Sequence, residues 1–470
     1  MPLTADVSTN IMKRTFAYIL LTVIASMDTL AIDYFVSQSG THTAPYTNWV
    51  QSATNIAEAL SYCSAGDNVF VSNGNYFVTE PIMITNSVML ASINGRDNTF
   101  INGSGASLCV FMSNTGAHLN AFTLMNGSNQ YGGGLCITNG GTVSDSRLCG
   151  NYARNGAGVY ISQTGYVQNT IICCNTSRLD GGGVYINRGG FINDCHIYNN
   201  TTLNGGIGGG AGCMVFLGGE IRRSIIESNS TPGTAGGVLS YYHILMDQCI
   251  IRGNSPNGVM HGYGGAYVYN TLIENNTMHG VYFEGNIQYY NCTFTKNAGY
   301  AMDADLYLHG SSKPGVIMNC IFYPEPTHIV AYSVTQPAYS NNFAADPLFT
   351  DWTNGDYRLS HTSPCINAGA SDTWYGDMHD LDGAPRLVDN APDIGAYEYY
   401  SSDGTAYLTN NNLAASWNVL TGQIYVVEYA SDLNGIWSSI DSPSVATTSI
   451  LSAYSDNSGS NKYFRLKYVY

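Results

Sequence analysis

One six-residue phrase, repeated along the middle of the chain, limits the fold more than any other feature. It reads as a small residue, an apolar residue, then Ile, Leu or Phe, two variable residues and Asn. Seven copies stand at Ser146–Asn151, Thr170–Asn175, Cys195–Asn200, Ser224–Asn229, Cys249–Asn254, Thr271–Asn276 and Cys292–Asn297, with Arg147, His196 and Thr293 in the second place of three of them. Ala121–Asn126 reads as a weaker copy and Cys320–Glu325 as a decayed one. From Asn126 the asparagines step by 25, 24, 25, 29, 25, 22 and 21 residues. Between most of them comes a glycine pair, an apolar residue and often Tyr, as in Gly156–Ile161 and Gly181–Ile186. Short runs of period-two alternation punctuated by Gly and Asn are strands and turns, and a fixed period of about 24 residues makes them coils of a solenoid. Three strands per coil, each about 4.8 Å from its equivalent in the next, predict an all-β chain built on a right-handed parallel β-helix.

Composition agrees. With 52 Gly, 36 Tyr and only 11% charged residues the chain lacks the Lys, Glu and Arg that cover exposed helices. A net charge of -16 with 17 basic residues argues against nucleic acid. The same acidity repels an anionic polysaccharide unless a divalent cation bridges the two. Lys13 and Arg14 precede the apolar run Thr15–Met27, which ends in Thr29-Leu30-Ala31, so residues 1–31 read as a signal peptide whose translation starts at Met12. No later run is long enough for a transmembrane span, and the expected location is secreted or cell surface. All 12 cysteines follow the leader, where disulfides are permitted. Cys149 and Cys173 share a column one coil apart and are the best-placed pair, while Cys173 and Cys174 should point to opposite faces of a strand.

The ladders have a structural reading. A stacked Asn amide donates toward one coil and accepts from the other, satisfying turn groups that would otherwise be buried unpaired. Cys195, Cys249 and Cys292 alternate with Ser and Thr in an inward column, where small thiols are ordinary.

Three segments carry resemblances. Tyr34–Tyr46 and Ala53–Tyr76 look like the opening of pectate-lyase-like right-handed β-helix proteins, which implies a short capping helix with Ile56, Ala57 and Leu60 on its inner face. The repeats also resemble those of polymorphic outer-membrane proteins and autotransporter passengers, although about 70 closing residues are too few for their translocating barrel. Asp346–Tyr399, with DPLF, NGDYRL, SPCINAGA, DLDGAPR and DIGAYEY in order, resembles the choice-of-anchor Q module of surface β-helix proteins. Nine aspartates from Asp346 to Asp393 would serve a Ca2+ site at Asp380 and Asp382, or Asx-turns and caps. Residues 405–470 resemble the fibronectin-like C-terminal modules of exported bacterial proteins and read as a small β-sandwich. The expected organisation is therefore a leader at 1–31, a β-helix at 32–340, a module at 341–399 closing it, and a sandwich at 405–470.

If the first and third residues of the phrase face in, the fourth faces out, which stacks Glu227, Arg252 and Glu274. The two carboxylates would stand about 9.6 Å apart, at the upper edge of the spacing used by inverting glycosidases. A Glu-Arg-Glu stack equally relieves like-charge repulsion without any chemistry. The motif set of polygalacturonases is absent. In the Gly-apolar-Tyr-apolar phrase the tyrosines should face out, giving Tyr160, Tyr185, Tyr267 and Tyr282 in one column interrupted by Met214 and Leu239. Such a stripe suits sugar rings, and it also suits stacking of one tyrosine on the next. Two functions follow: an exported protein that binds a polysaccharide or cell-surface glycan without catalysis, or a polysaccharide lyase or glycoside hydrolase using the charged column.

Overall fold

The computed structural model describes residues 30–399, apart from 205–207, 263, 284–285, 299–305, 309–314, 325–328, 332–337, 372–377 and 388–390, together with seven strands between Gly404 and Val469. Residues 1–29 of the proposed leader lie outside the described residues. Three parallel sheets run the length of a β-helix. The first has 13 strands, from Asp33–Val36 to Ala338–Ser340, the second 11, from Gly74–Phe77 to Ile321–Tyr323, and the third 15. Early coils hold a fourth strand that the sequence did not announce: Ser128–Tyr131, Tyr152–Asn155, Thr176–Asp180 and Thr201–Thr202 follow the ladder asparagines and join the third sheet.

The six-residue phrase is the corner and strand of the second sheet. Its third residue points inward, so Leu148, Ile172, Ile197, Ile226, Ile251, Ile273 and Phe294 stack as a fully buried column. Its first residue is a short donor, and Ser146, Thr170, Ser224 and Thr271 each give a hydroxyl to the carbonyl two residues back, at 2.7–2.8 Å. The thiols of Cys195, Cys249, Cys292 and Cys320 reach the equivalent carbonyls, at 3.1, 3.4, 3.3 and 3.4 Å, which explains why Cys exchanges with Ser and Thr here. All 12 cysteines are free thiols, Cys149 and Cys173 standing opposite one another in register.

The second-sheet phrase is bracketed by two left-handed residues. One is the residue before the phrase, at Asp145, Asn169, Asp194, Arg223, Gln248, Asn270 and Asn291, and the other its fifth residue, at Gly150, Cys174, Asn199, Ser228, Gly253, Asn275 and Lys296. Cys174 is thus a corner residue, not a strand partner of Cys173. The register also corrects one phrase: Arg147 pairs with Thr123, which aligns Gly127 with Asn151 and leaves Asn126 at the corner, with φ 53°. Asn favours both positions, so the phrase reads equally well one residue early.

The asparagine ladder begins where Gly127 N donates to Asn151 Oδ1 and runs to Asn297. At Asn229 the Oδ1 accepts from the backbone N and Nδ2 of Asn200, at 2.9 and 3.0 Å, and the Nδ2 donates to Ile197 O and Asn254 Oδ1, at 2.9 and 3.1 Å. The glycine phrases are likewise structural. Gly156 has φ 62°, and a Cβ there would lie 2.5 Å from Val159 O and 3.0 Å from the Tyr185 Cβ of the next coil.

A helix, Ile56–Ser61, covers the N-terminal opening, with Asn55 Oδ1 accepting from Glu58 N at 2.8 Å. Ile56 and Ala59 are its buried residues, whereas Ala57 is exposed, because a helix this short turns positions three apart toward the shaft. Residues 346–399 return along the flank of the shaft and dock on its corner column. Gln248 and Asn291 donate to Asp380 O and Asp393 O, Asn319 donates to Ala370 O, and Asn270 accepts from Arg386. Arg386 is fully buried and pairs with Glu398 at 3.0 Å. Between Gly404 and Val469 the strands pair antiparallel in two sheets of three and four strands. No helix among the described residues is long and apolar enough to cross a membrane.

Candidate functional site

The charged column forms in the expected register, Glu227 beside Arg252 and Arg252 beside Glu274. Its chemistry is already engaged. Arg252 Nε donates to Glu227 Oε2 and His196 Nε2 lies against Glu227 Oε1, each at 2.6 Å. Partial burial works to raise the Glu227 carboxyl, but hydrogen bonds from Arg252 and His196 outweigh it and hold it below the usual carboxylate value. Glu274 is buried and accepts from the Tyr357 hydroxyl at 2.5 Å and from Asn275 Nδ2 at 2.7 Å. Tyr357 belongs to the flanking module, whose Trp352 also donates to Thr295 Oγ1 at 3.0 Å. The column is therefore open at Glu227 and Arg252 and roofed at Glu274, whose Oε1 lies 4.0 Å from Arg252 Nη1.

The tyrosines divide between two sheets. Tyr160 pairs with Tyr185 on the third sheet, and Met214, Leu239, Met260 and Tyr282 continue that column. These tyrosines pack along their column. Tyr131, Tyr160 and Tyr185 stand 4.9 and 5.3 Å apart between centroids, the second pair stacked at 19°. Met214, Leu239 and Met260 are buried, with Tyr185 and Tyr282 packed against them. Tyr267, in contrast, lies on the first sheet, opposite Leu245 and Gln288. Its glycine pair resembles those of the third sheet only in sequence, since Gly264 stacks on Tyr242, in the preceding coil's corner between the third and first sheets.

Tyr267 is the tyrosine of the expected set that lines a groove. A depression of about 300 Å³ opens on the first sheet, lined by Phe191, Leu217, Glu220, His243, Leu245 and Tyr267 among others. Phe191, Glu220, Leu245 and Tyr267 are successive register partners, so the floor spans four coils, about 14 Å from three strand spacings. Large apolar surface gathers around it: Tyr166, Leu217, Tyr242 and Tyr267 are 46%, 39%, 41% and 39% exposed. Tyr166 stacks on Phe191 with centroids 4.5 Å apart at 5°, extending the aromatic floor by a coil. Glu220 accepts from Arg222 Nε at 3.1 Å, and Arg222 also lies 3.8 Å from Asp247. Sequence reasoning missed Phe191, Glu220 and Leu245, although the pairs Gly189-Gly190 and Gly218-Gly219 directly precede the first two and carried a signal that could have found them.

The two aspartates singled out for a cation have protein partners. Asp380 is buried and accepts from the backbone N of Asp382, Ala384 and Glu398, at 3.0, 2.7 and 2.7 Å. Burial raises its carboxyl to about 6 against the pull of Arg386. Asp382 takes two hydrogen bonds from Arg358, at 2.5 and 2.9 Å. No group of three or more metal-binding side chains gathers among the described residues.

Fold and surface together define a long parallel β-helix with an aromatic groove on one flank. Among solved structures it is similar to a pectate lyase at 14% identity, covering 78% of this chain and 96% of the lyase with a TM-score of 0.49. It is similar to a rhamnogalacturonan lyase at 13% identity, with 68% and 91% covered and a TM-score of 0.38, and to the Dettilon tailspike protein at 10%, with 84% and 80% covered and a TM-score of 0.37. No protein-family model and no curated protein matches the sequence.

Proposed function

We propose that this chain is an exported, secreted or surface-held protein that binds a glycan on the outer face of its β-helix and leaves it unchanged. The observation that carries the reading is the groove between Phe191 and Tyr267: a rigid floor, aromatic at both ends, with Glu220 between them to accept hydrogen bonds from hydroxyls. Non-catalytic binding is favoured over hydrolysis or elimination by the state of the charged column. A general acid or base must reach the proton it moves. Glu274 is closed in under Tyr357, and Glu227 is bonded on both oxygens.

The test is to incubate the purified chain with a panel of polysaccharides, measuring binding by affinity electrophoresis while following reducing ends and the absorbance of unsaturated products. Retardation without product is the expected result. Product formation that falls at least a hundredfold in Glu227→Gln or Arg252→Ala would establish the enzyme instead.

A further inference from the structure

Resting on the glycan-binding reading above, we infer that the groove between Phe191 and Tyr267 selects an uncharged glycan and holds it along the shaft axis. The inference comes from the distribution of charge across the floor. Phe191, Leu217, Leu245 and Tyr267 offer carbon surface and an aromatic hydroxyl, and Glu220 is the carboxylate among the lining residues, which include neither Lys nor Arg. His243 contributes an imidazole at the rim. The nearest guanidinium on the same strand, Arg222, is shared between Glu220 and Asp247, so its charge is spent on fixing the Glu220 carboxylate in place. Arg188, just before Gly189 at the edge, is exposed and stands against a chain whose net charge is -16.

A uronate or sulfated residue lying on this floor would meet Glu220, with no Lys or Arg among the lining residues and Arg222 already shared between Glu220 and Asp247. Its charge would be desolvated without compensation. A neutral sugar meets the same groups favourably: the exposed ring of Tyr267, the part of Phe191 that its stack on Tyr166 leaves open, and Glu220 to accept from hydroxyls. Direction follows from register. Phe191, Glu220, Leu245 and Tyr267 are stacked one coil upon the next, so a ligand touching both aromatic ends runs parallel to the axis for about 14 Å, the length of a short oligosaccharide.

The experiment is affinity electrophoresis of the full chain through gels containing neutral polysaccharides (mixed-linkage β-glucan, galactomannan, xylan) or acidic ones (polygalacturonate, alginate). Each gel is run at low and high salt, with and without calcium, using the wild type, Phe191→Ala, Tyr267→Ala, Glu220→Gln and Arg188→Ala. Thermal melting of each variant checks that the substitutions leave the fold intact. Retardation is expected in at least one neutral gel, insensitive to salt and to Arg188→Ala, with affinity at least tenfold lower in Phe191→Ala and Tyr267→Ala.

Retardation confined to acidic gels, lost with salt or Arg188→Ala and also lost in Tyr267→Ala, would overturn the uncharged class while keeping the groove. Retardation by any glycan that Phe191→Ala and Tyr267→Ala leave untouched would overturn the site. No retardation in any gel would overturn the glycan-binding reading itself.

Discussion

Tyr357 and Glu274, 83 residues apart, are joined by a 2.5 Å hydrogen bond from the phenol to the carboxylate. Through it the flanking module covers one member of the charged column and leaves the others outside. Tyr357→Phe removes the donor while keeping the ring that packs against Leu272, Ala396 and Tyr397. A buried carboxylate oxygen losing one of two donors should cost about 1–3 kcal/mol. The expected result is a lower melting temperature with unchanged glycan retardation, and an unchanged melting temperature would show that the contact contributes nothing.

The asparagine ladder makes a larger claim. Asn229→Leu leaves Asn200 N and Ile197 O without their partners in the middle of the shaft. Two stranded buried groups at about 1–3 kcal/mol each predict a loss of about 2–6 kcal/mol, read by denaturant titration. Leucine at Asn229 with full stability would refute the ladder as a source of stability.

A pH effect follows from His261, which sits inside the shaft between Ser240 Oγ, at 2.7 Å, and the Tyr289 hydroxyl, at 2.8 Å. Burial pushes its imidazole down to about 3. Because the folded value lies below the unfolded one, near 6.5, the unfolded chain binds more protons in between. Stability from this group is whole above pH 6.5 and falls by about 1.4 kcal/mol per unit as pH drops toward 3. The stability difference between wild type and His261→Gln should shrink or reverse along that window, and a difference that stays flat from pH 7 to 4 would rule out a neutral buried imidazole.

Calcium offers a direct check on the module. Asp380 closes a turn with three backbone donors and Asp382 is held by Arg358. Melting should be the same with calcium and with a chelator. A chelator-dependent drop of several degrees, abolished in Asp382→Asn, would restore a cation to the account.

How much of this was legible in the sequence depends on the range of the cause. The second-sheet register could be read because the inward Ile column, the short donor and the ladder Asn repeat within six residues. Asn126 was misplaced by one because Asn suits both the ladder and the left-handed corner beside it. Tyr267 was assigned to the wrong sheet because glycine pairs precede strands of both the first and the third sheet, as at Gly189-Gly190 and Gly182-Gly183, so the pair does not tell them apart. The docking of Arg386 on Asn270 and of Tyr357 on Glu274 joins residues 116 and 83 positions apart. No local pattern encodes such pairs, and the groove, built one residue per coil, is hidden for the same reason.

The two tyrosine sites separate stability from binding. Tyr185 is stacked against Tyr160 and packed on the Met214 and Leu239 cluster, so its ring is part of the protein's own surface packing. Tyr185→Ala should lose the stacking contribution of about 0.5–1.5 kcal/mol together with buried area, and glycan affinity should hold. Tyr267 lines the groove at 39% exposure, so Tyr267→Ala should leave the melting temperature nearly unchanged and weaken glycan binding at least tenfold. Measuring melting and retardation on both variants gives opposite rankings if the binding face is the first sheet. The reverse outcome, with affinity lost in Tyr185→Ala and kept in Tyr267→Ala, would move the site to the third sheet and its tyrosine ladder.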